Sequence, residues 1–292
     1  MSGRSAIDAV FRSLRPPPPT PTIDRLTRPP LSTFQQYRSA GQPVVLEGLL
    51  DEWPHRELWT LAGLRERYGD RQISAISTVD GRLNGDARAG LSFAAVRLAD
   101  YVDQLEQGVP LDLYLSAPGA SWMPELEETL STPAYCRDAS WRNSRFWMGP
   151  AGTHTPLHRD VAENIFFQLV GRKRFLIYPP AATPWLYSHP FRSALPNFSR
   201  YDPSDRDDPR FPLGRRVQPI EIVLGPGDAM FLPSRWWHDV RSLDISVSYN
   251  FWFADRWLAW VVRAAEYLKH RRKLEIYGLE ARLGRESRPA GS

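Results

Sequence analysis

The stretch Thr153-His154-Thr155-Pro156-Leu157-His158-Arg159-Asp160 organises this chain of 292 residues. Residues i and i+2 of a β-strand point to the same face, so His158 and Asp160 present an imidazole and a carboxylate together. A third candidate metal ligand, His238, follows far downstream in Trp236-Trp237-His238-Asp239. Two histidines and one carboxylate on one side of a metal leave open coordination positions, which is typical of non-haem Fe(II) oxygenases. A His-x-Asp pair alone is a weak signal, so the surrounding pattern has to support it.

The composition indicates a globular chain. Hydrophobic residues make up 42% and charged residues 24% of the sequence, and no apolar run reaches the roughly 18–20 residues of a membrane span. Residues 1–15 lack the apolar centre of a signal peptide. The single cysteine, Cys136, excludes an intramolecular disulfide and fits a reducing compartment, so we expect the cytoplasm.

The net charge is mildly basic, +4 at pH 7. Lysine occurs only at positions 173, 269 and 273, and arginine supplies the remaining basic residues. A small excess spread over many arginines is more typical of a solvated surface than of a nucleic-acid site, so we expect no nucleic-acid partner.

Three segments are expected along the chain. Residues 1–30 are rich in proline and should form an extended or disordered arm. Residues 31–255 should form the globular domain. Residues 256–292 should form an amphipathic helix, which covers the sheet or pairs with a second subunit, followed by a polar tail.

The domain is predicted to be mainly β with flanking helices. Before the central stretch we expect helices at 31–40 and 60–68, strands at 43–48, 71–79 and 111–116, a loop at 81–90, and a helix that Ser92 caps and that runs to Glu106. From residue 153 to 253 short strands alternate with turns. We expect two hairpins, 164–169 with 173–178 and 220–224 with 229–232, and a long strand at 245–253. This pattern predicts a double-stranded β-helix, the jelly-roll core of the cupins.

The order and spacing of several short motifs resemble one family. They are Pro43-Val44-Val45-Leu46-Glu47-Gly48, Asp51-Glu52-Trp53-Pro54, Leu113-Tyr114-Leu115, the central stretch, Asn164-Ile165-Phe166-Phe167-Gln168, Gly171-Arg172-Lys173-Arg174-Phe175, Tyr178-Pro179-Pro180, Gly225-Pro226-Gly227-Asp228, Phe231-Leu232-Pro233, Trp236-Trp237-His238 and Asn250-Phe251-Trp252. Over residues 43–255 the chain resembles the cupin-like Jumonji-C family of Fe(II)- and 2-oxoglutarate-dependent oxygenases. It is particularly similar to the branch that contains the asparaginyl hydroxylase of hypoxia-inducible factor. The resemblance implies that His158, Asp160 and His238 hold iron.

Lys173 is the candidate partner for the distal carboxylate of 2-oxoglutarate. It shares its strand parity with Phe175 and Ile177, which places it inside a largely apolar barrel. A buried ammonium group without an anion is costly, and the cosubstrate would supply that anion. The alternative is a lysine in solvent between Arg172 and Arg174, whose parity is opposite.

The resemblance also implies a set of secondary contacts. The hydroxyls of Thr155 and Tyr114 would donate hydrogen bonds to the cosubstrate carboxylate. Asn164 and Asn250 match amides that line the cosubstrate cavity, and Phe166 and Trp252 match apolar walls. Ordinary core packing remains the alternative for these positions.

The implied reaction is oxidative decarboxylation of 2-oxoglutarate by O₂, coupled to hydroxylation of a C–H bond. A peptide or protein side chain is the expected substrate. The alternative enzymatic function is hydroxylation of a small metabolite, a free amino acid or a modified RNA base. The alternative without enzymatic activity is a metal-free cupin that serves as a binding module. Lysine demethylation ranks lower. The long insertion at 181–219 is the expected substrate-side loop.

Overall fold

Two facing β-sheets form the centre of the computed structural model, which describes residues 15–18, 22–53, 56–86, 88–118, 133–265 and 267–268. The strands are β1 (Arg25–Thr27), β2 (Val44–Glu47), β3 (Gln72–Val79), β4 (Arg82–Leu83), β5 (Gly85–Asp86), β6 (Gly90–Leu91), β7 (Phe93–Arg97), β8 (Leu113–Pro118), β9 (Trp141–Gly149), β10 (His154–Arg159), β11 (Glu163–Val170), β12 (Lys173–Tyr178), β13 (Ile220–Leu224), β14 (Ala229–Leu232), β15 (Trp237–Ser242) and β16 (Ser246–Ala254). The helices are α1 (Leu31–Ala40), α2 (Leu61–Tyr68), α3 (Leu98–Glu106) and α4 (256–265). Short 3-10 turns occur at Leu49–Glu52, Arg56–Trp59, Ala134–Cys136, Pro180–Trp185 and Gly214–Arg216.

The strand order confirms the predicted jelly roll. The larger sheet runs β1-β2-β14-β11-β16-β9-β8-β3, with β7 also paired to β3, and the smaller sheet runs β4-β10-β15-β12-β13. The antiparallel pair β3 and β4 joins the two sheets. One apolar cluster lies under α1, α2 and α3, a second fills the space between the sheets, and a third lies between the smaller sheet and residues 182–217.

The two predicted hairpins are wrong, although their strands are present. β11 pairs with β14 and β16, whereas β12 pairs with β13 and β15 in the other sheet. β13 and β14 are likewise separated, because their turn carries the chain from one sheet to the other. A tight turn shows where a chain reverses, but burial of both inner faces decides which strands share hydrogen bonds.

The predicted helix from Ser92 to Glu106 is wrong in its first half. Residues 93–97 form β7, which pairs antiparallel with the edge of β3, and α3 begins only at Leu98. The backbone carbonyl of Ser92 accepts a hydrogen bond from Ser77, so Ser92 continues this ladder and does not cap a helix. Pairing with β3 outweighs the local helical pattern. The predicted loop at 81–90 also contains short strand segments, β4, β5 and the start of β6.

Both ends of the described chain pack on the domain. β1, within the proline-rich arm, adds a parallel strand to β2. In α4, Leu258, Ala259 and Val262 are buried, whereas Trp257 and Trp260 are each 75% exposed. Pairing with a second subunit through α4 stays a prediction. The predicted polar tail and most of the proline-rich arm lie in residues that the structure does not describe, among them 1–14, 19–21, 119–132 and 269–292. Among the described residues no helix is long and apolar enough to cross a bilayer.

Gly171, at the crossing from β11 to β12, gives a direct test of this topology. Its φ is +66°, and a Cβ there would lie 2.1 Å from the carbonyl oxygen of Ile245. We expect Gly171→Ala to lower the free energy of unfolding by more than about 2 kcal/mol. Gly108 has the same φ, but a Cβ there would meet no atom within 4 Å, so Gly108→Ala should cost only about 1 kcal/mol. Urea unfolding followed by circular dichroism measures both, and equal losses would contradict the close approach.

Candidate metal and cosubstrate site

Three candidate ligands converge at one end of the smaller sheet. His158 on β10 lies directly opposite His238 on β15 in the antiparallel register, and Asp160 follows the end of β10. The two imidazole centroids are 4.0 Å apart, and Nε2 of His238 lies 3.7 Å from Oδ2 of Asp160. One donor atom from each residue lies within 4.8 Å of the other two. This spacing allows a single metal ion to contact all three.

Backbone carbonyls determine the tautomers of both histidines. Nδ1 of His158 lies 2.8 Å from the carbonyl of Pro156, and Nδ1 of His238 lies 3.1 Å from that of Trp236. Because a carbonyl only accepts hydrogen bonds, each Nδ1 carries the proton and each Nε2 presents its lone pair. Burial, together with the adjacent His158, lowers the pKa of His238, which keeps its ring neutral. Neutral imidazoles with free Nε2 lone pairs suit metal binding.

Neighbouring side chains orient the carboxylate and the first histidine. The indole Nε1 of Trp252 donates to Oδ2 of Asp160 at 2.8 Å. The backbone N–H of Arg235, which has a φ of +67°, donates to the carbonyl of Asp160 at 2.8 Å. Phe198 from the long insertion stacks on His158 with centroids 5.0 Å apart and ring planes at 18°. The ligand set is therefore held from both sheets and from the insertion.

All ten residues that the sequence and the resemblance singled out line one cavity between the sheets. The space that these residues enclose, counted with the part that opens to solvent, is about 520 Å³. The lining residues are Tyr114, Trp147, Thr155, His158, Asp160, Asn164, Phe166, Lys173, Phe175, Met230, Leu232, His238, Val240, Asn250 and Trp252.

Lys173 lies inside the barrel, as its parity predicted. Its side chain is 1% exposed, and Nζ donates a hydrogen bond to the Tyr114 hydroxyl at 2.8 Å. The rings of Tyr114 and Phe166 lie 5.2 and 5.4 Å from Nζ. No carboxylate pairs with Lys173 among the described residues, and burial lowers its pKa to about 7. An unneutralised ammonium in an apolar cavity fits a ligand that brings its own anion.

Hydrogen-bonded amides and stacked rings form the wall opposite the ligands. Asn250 accepts from Nε1 of Trp147 at 2.7 Å and donates to Oδ1 of Asn164 at 3.0 Å. Trp147 stacks on Tyr114 with centroids 5.5 Å apart. Trp147 and Phe198 were not predicted from the sequence as residues of this site. Trp147 alternates with buried residues of β9, but its contact with Asn250 depends on a register across about a hundred residues that no local signal gives.

A second cluster, His154, Asp202 and Asp239, lies on the outer side of the smaller sheet. Nε2 of His154 lies 2.7 Å from Oδ2 of Asp239, and both residues are buried. Arg82 pairs with Asp202, and Arg241 approaches His154. Arg82 already pairs with Asp202 and His154 with Asp239, so a structural hydrogen-bond and ion-pair network describes the cluster.

Comparison with known proteins places this geometry in a family. A family model described as a cupin-like domain matches residues 30–257. The chain belongs to this family. Relatives carry Jumonji-C names, which confirms the family resemblance that the motifs indicated. Enzymes of the Jumonji-C group use Fe(II), 2-oxoglutarate and O₂, and the donor set and the lone ammonium of this cavity fit these three.

Several relatives cover most of this chain. The chain is 34% identical over 243 residues to lysine-specific demethylase 8 of Xenopus tropicalis, in a match that covers 80% of this chain and 53% of the relative. It is 28% identical to Jumonji C domain-containing protein 5 of Drosophila melanogaster, over 80% of this chain and 63% of the relative. It is 24% identical to the human bifunctional peptidase and (3S)-lysyl hydroxylase JMJD7, over 84% and 87% of the two chains. The chain thus spans little more than half the length of the first of these relatives.

Proposed function

We propose that this chain is an Fe(II)- and 2-oxoglutarate-dependent dioxygenase that hydroxylates a C–H bond of a peptide or protein side chain. The observation that carries the proposal is the combination of two features in one cavity. Three donor atoms, from His158, Asp160 and His238, face one point, and Lys173 is buried in the same cavity with no carboxylate partner among the described residues. A facial metal set accounts for the first feature, and an anionic cosubstrate accounts for the second.

Each residue has a role in this proposal. His158, Asp160 and His238 hold Fe(II), and Trp252 keeps the Asp160 carboxylate in place. Lys173 and the Tyr114 hydroxyl bind the distal carboxylate of 2-oxoglutarate, and the Thr155 hydroxyl donates to it as well. Iron, 2-oxoglutarate and O₂ together supply the oxidation, which yields succinate, CO₂ and a hydroxylated substrate.

The remaining lining residues shape the cavity and exclude water. Asn164 and Asn250 hold each other through a side-chain hydrogen bond, so their polar atoms are fixed before any ligand binds. Phe166 covers the ammonium group of Lys173 from the side. A dry, preformed cavity strengthens the electrostatic contact between Lys173 and a carboxylate.

Proteins are the favoured substrate class because relatives are named as lysine-specific demethylase and lysyl hydroxylase. Hydroxylation of a metabolite, a free amino acid or a modified RNA base is the alternative. A metal-free binding module would have no need for two Nε2 lone pairs and a carboxylate facing one point. We retain the cytoplasm as the compartment, because Cys136 is buried and unpaired.

The metal ligands are tested by substitution. We expect His158→Ala to reduce conversion of 2-oxoglutarate to succinate, with Fe(II) and O₂ present, by more than about a hundredfold, because weaker perturbations around metal ligands already cost 10–100-fold. His189→Ala serves as the control, since His189 lies outside the cavity lining. Succinate is quantified by chromatography. Unchanged turnover in His158→Ala would exclude the proposed ligand set.

The same enzyme assay identifies the substrate class. Peptides and metabolites are incubated in parallel with the wild-type protein, and mass spectrometry detects the gain of one oxygen atom. Oxidised peptides would support the protein hydroxylase, whereas oxidation of metabolites alone would favour the alternative.

The pH dependence of 2-oxoglutarate binding tests Lys173. Its pKa of about 7 in the free protein should rise when a carboxylate binds, since an anion favours the charged ammonium. The affinity for 2-oxoglutarate should therefore be highest and constant below pH 7. Above pH 7 it should fall by about tenfold per pH unit, until the pH reaches the pKa of Lys173 in the complex. Calorimetry with Mn(II) in place of iron, in two buffers of different ionisation enthalpy, should detect uptake of nearly one proton at pH 8 and far less at pH 6.

Two variants control this measurement. Lys173→Met should lose most of the affinity and all proton uptake. Arg174→Gln, at the neighbouring position of opposite parity, should keep both. An affinity that is unchanged in Lys173→Met would show that Lys173 does not meet the carboxylate, whereas a constant wild-type affinity between pH 7 and pH 9 would show that Lys173 is already charged in the free protein.

A further inference from the structure

A second cation lies beside the cavity. Arg145 on β9 points to the same face of its strand as Trp147, which lines the cavity, and it lies directly opposite Asn250 on β16, which also lines it. Nη1 of Arg145 donates to Oγ of Ser116 at 2.7 Å, and the guanidinium carbon lies 5.6 Å from the Trp147 ring centroid. The side chain is thus held at the edge of the cavity by neutral groups.

No carboxylate pairs with Arg145 in the part of the chain that the structure describes. Burial lowers its pKa, and no neighbouring charge offsets that effect. Arg38 shows how this chain treats another shielded arginine. Its side chain is 13% exposed and pairs with Glu163 at 2.6 Å and Asp255 at 2.7 Å. A desolvated guanidinium without an anion is costly, so Arg145, unlike Arg38, is suited to bind an anionic ligand.

The cavity has a matching imbalance of charge. Among its lining residues Asp160 is the one carboxylate, and the metal site engages it. Lys173 is assigned to the cosubstrate, and Arg145 then remains as a cation without an anion. A basic side chain entering this cavity would find no free carboxylate among the lining residues. An acidic one that extended past Trp147 would meet the Arg145 guanidinium, whose Nε and Nη2 donate to no described acceptor.

We propose that Arg145 binds a carboxylate of the substrate, so that the enzyme selects a target that bears an acidic group on or beside the oxidised residue. This inference rests on the proposed oxygenase function and specifies its substrate. The register supports the distance. Trp252, which contacts Asp160, is two residues from Asn250 on β16, and two residues of a strand span about 7 Å. Arg145, opposite Asn250, therefore lies two strand positions from the residue whose side chain contacts Asp160.

Peptide pools of defined charge test the proposal. Three fluorescein-labelled pools of degenerate peptides, identical except for a central Glu, Gln or Lys, are titrated with the wild-type protein loaded with Mn(II) and 2-oxoglutarate. Fluorescence anisotropy gives the affinities. We expect the Glu pool to bind about tenfold more tightly than the Gln pool, as charge-assisted hydrogen bonds to arginine allow, and the Lys pool to bind most weakly.

Variants then assign the preference to one side chain. Arg145→Met should bind the Glu and Gln pools equally, and Arg145→Lys should keep a reduced preference. Arg142→Met is the matched control, because Arg142 lies on the same strand but is exposed, and it should keep the full preference. Competition by free glutamate, set against free glutamine, shows whether a small acid satisfies the same contact.

The outcomes separate this inference from the proposed function. Equal binding of the three wild-type pools, a preference for the Lys pool, or a preference for Glu that survives in Arg145→Met would overturn the role of Arg145. The first two results are measured on the wild-type protein. The third needs a folded Arg145→Met variant, and circular dichroism checks that it folds. Succinate formation by the wild-type enzyme is a separate measurement, and its failure would reject the oxygenase while the binding data still decide on the acidic ligand.

Discussion

The ammonium group of Lys173 lies inside an apolar barrel and pairs with no carboxylate among the described residues, and this constraint shapes the rest of the site. Lys173 begins β12, and the alternation of that strand points it inward with Phe175 and Ile177. Moving it into solvent would shift the parity of β12 and expose those apolar side chains. The fold therefore keeps a desolvated charge whose free energy is recovered only when a ligand supplies an anion.

The crossing of consecutive strands between the two sheets brings the proposed metal ligands to the same cavity. β10 and β15 are adjacent in the smaller sheet although more than seventy residues separate them. Their register sets His158 opposite His238, and the chain leaving β10 brings Asp160 beside both. Trp252 reaches the carboxylate from β16 of the larger sheet. Hydrogen bonds within and between the strands thus orient the three proposed ligands in the free protein.

Much of the site was predictable because parity is a local property. His158 and Asp160 are two residues apart, and Lys173, Phe175 and Ile177 alternate, so the sequence alone indicates which side chains face inward. The helix that was expected from Ser92 failed because β3 offered an open edge that a local pattern does not reveal. The two predicted hairpins were wrong because turn residues show where the chain reverses but not which sheet each strand joins. Trp147 and Arg145 were missed because their neighbour Asn250 lies across a long-range register.

The two sheets divide the work of the cavity. The smaller sheet and the turn after β10 carry the proposed iron ligands His158, Asp160 and His238 together with Thr155 and Lys173. The larger sheet adds Tyr114, on β8, to the groups assigned to the cosubstrate. The larger sheet carries Trp147 and Asn250, which line the cavity, and the proposed anion contact Arg145 lies beside them. If Arg145 binds the substrate as proposed, substitutions on β9 change the charge of the accepted substrate without altering the proposed metal ligands. Relatives named as a lysine-specific demethylase and a lysyl hydroxylase share the family with this chain. The cavity lining of this chain offers no free carboxylate to a basic side chain. One fold can thus keep its chemistry while the charge of the substrate that it selects differs.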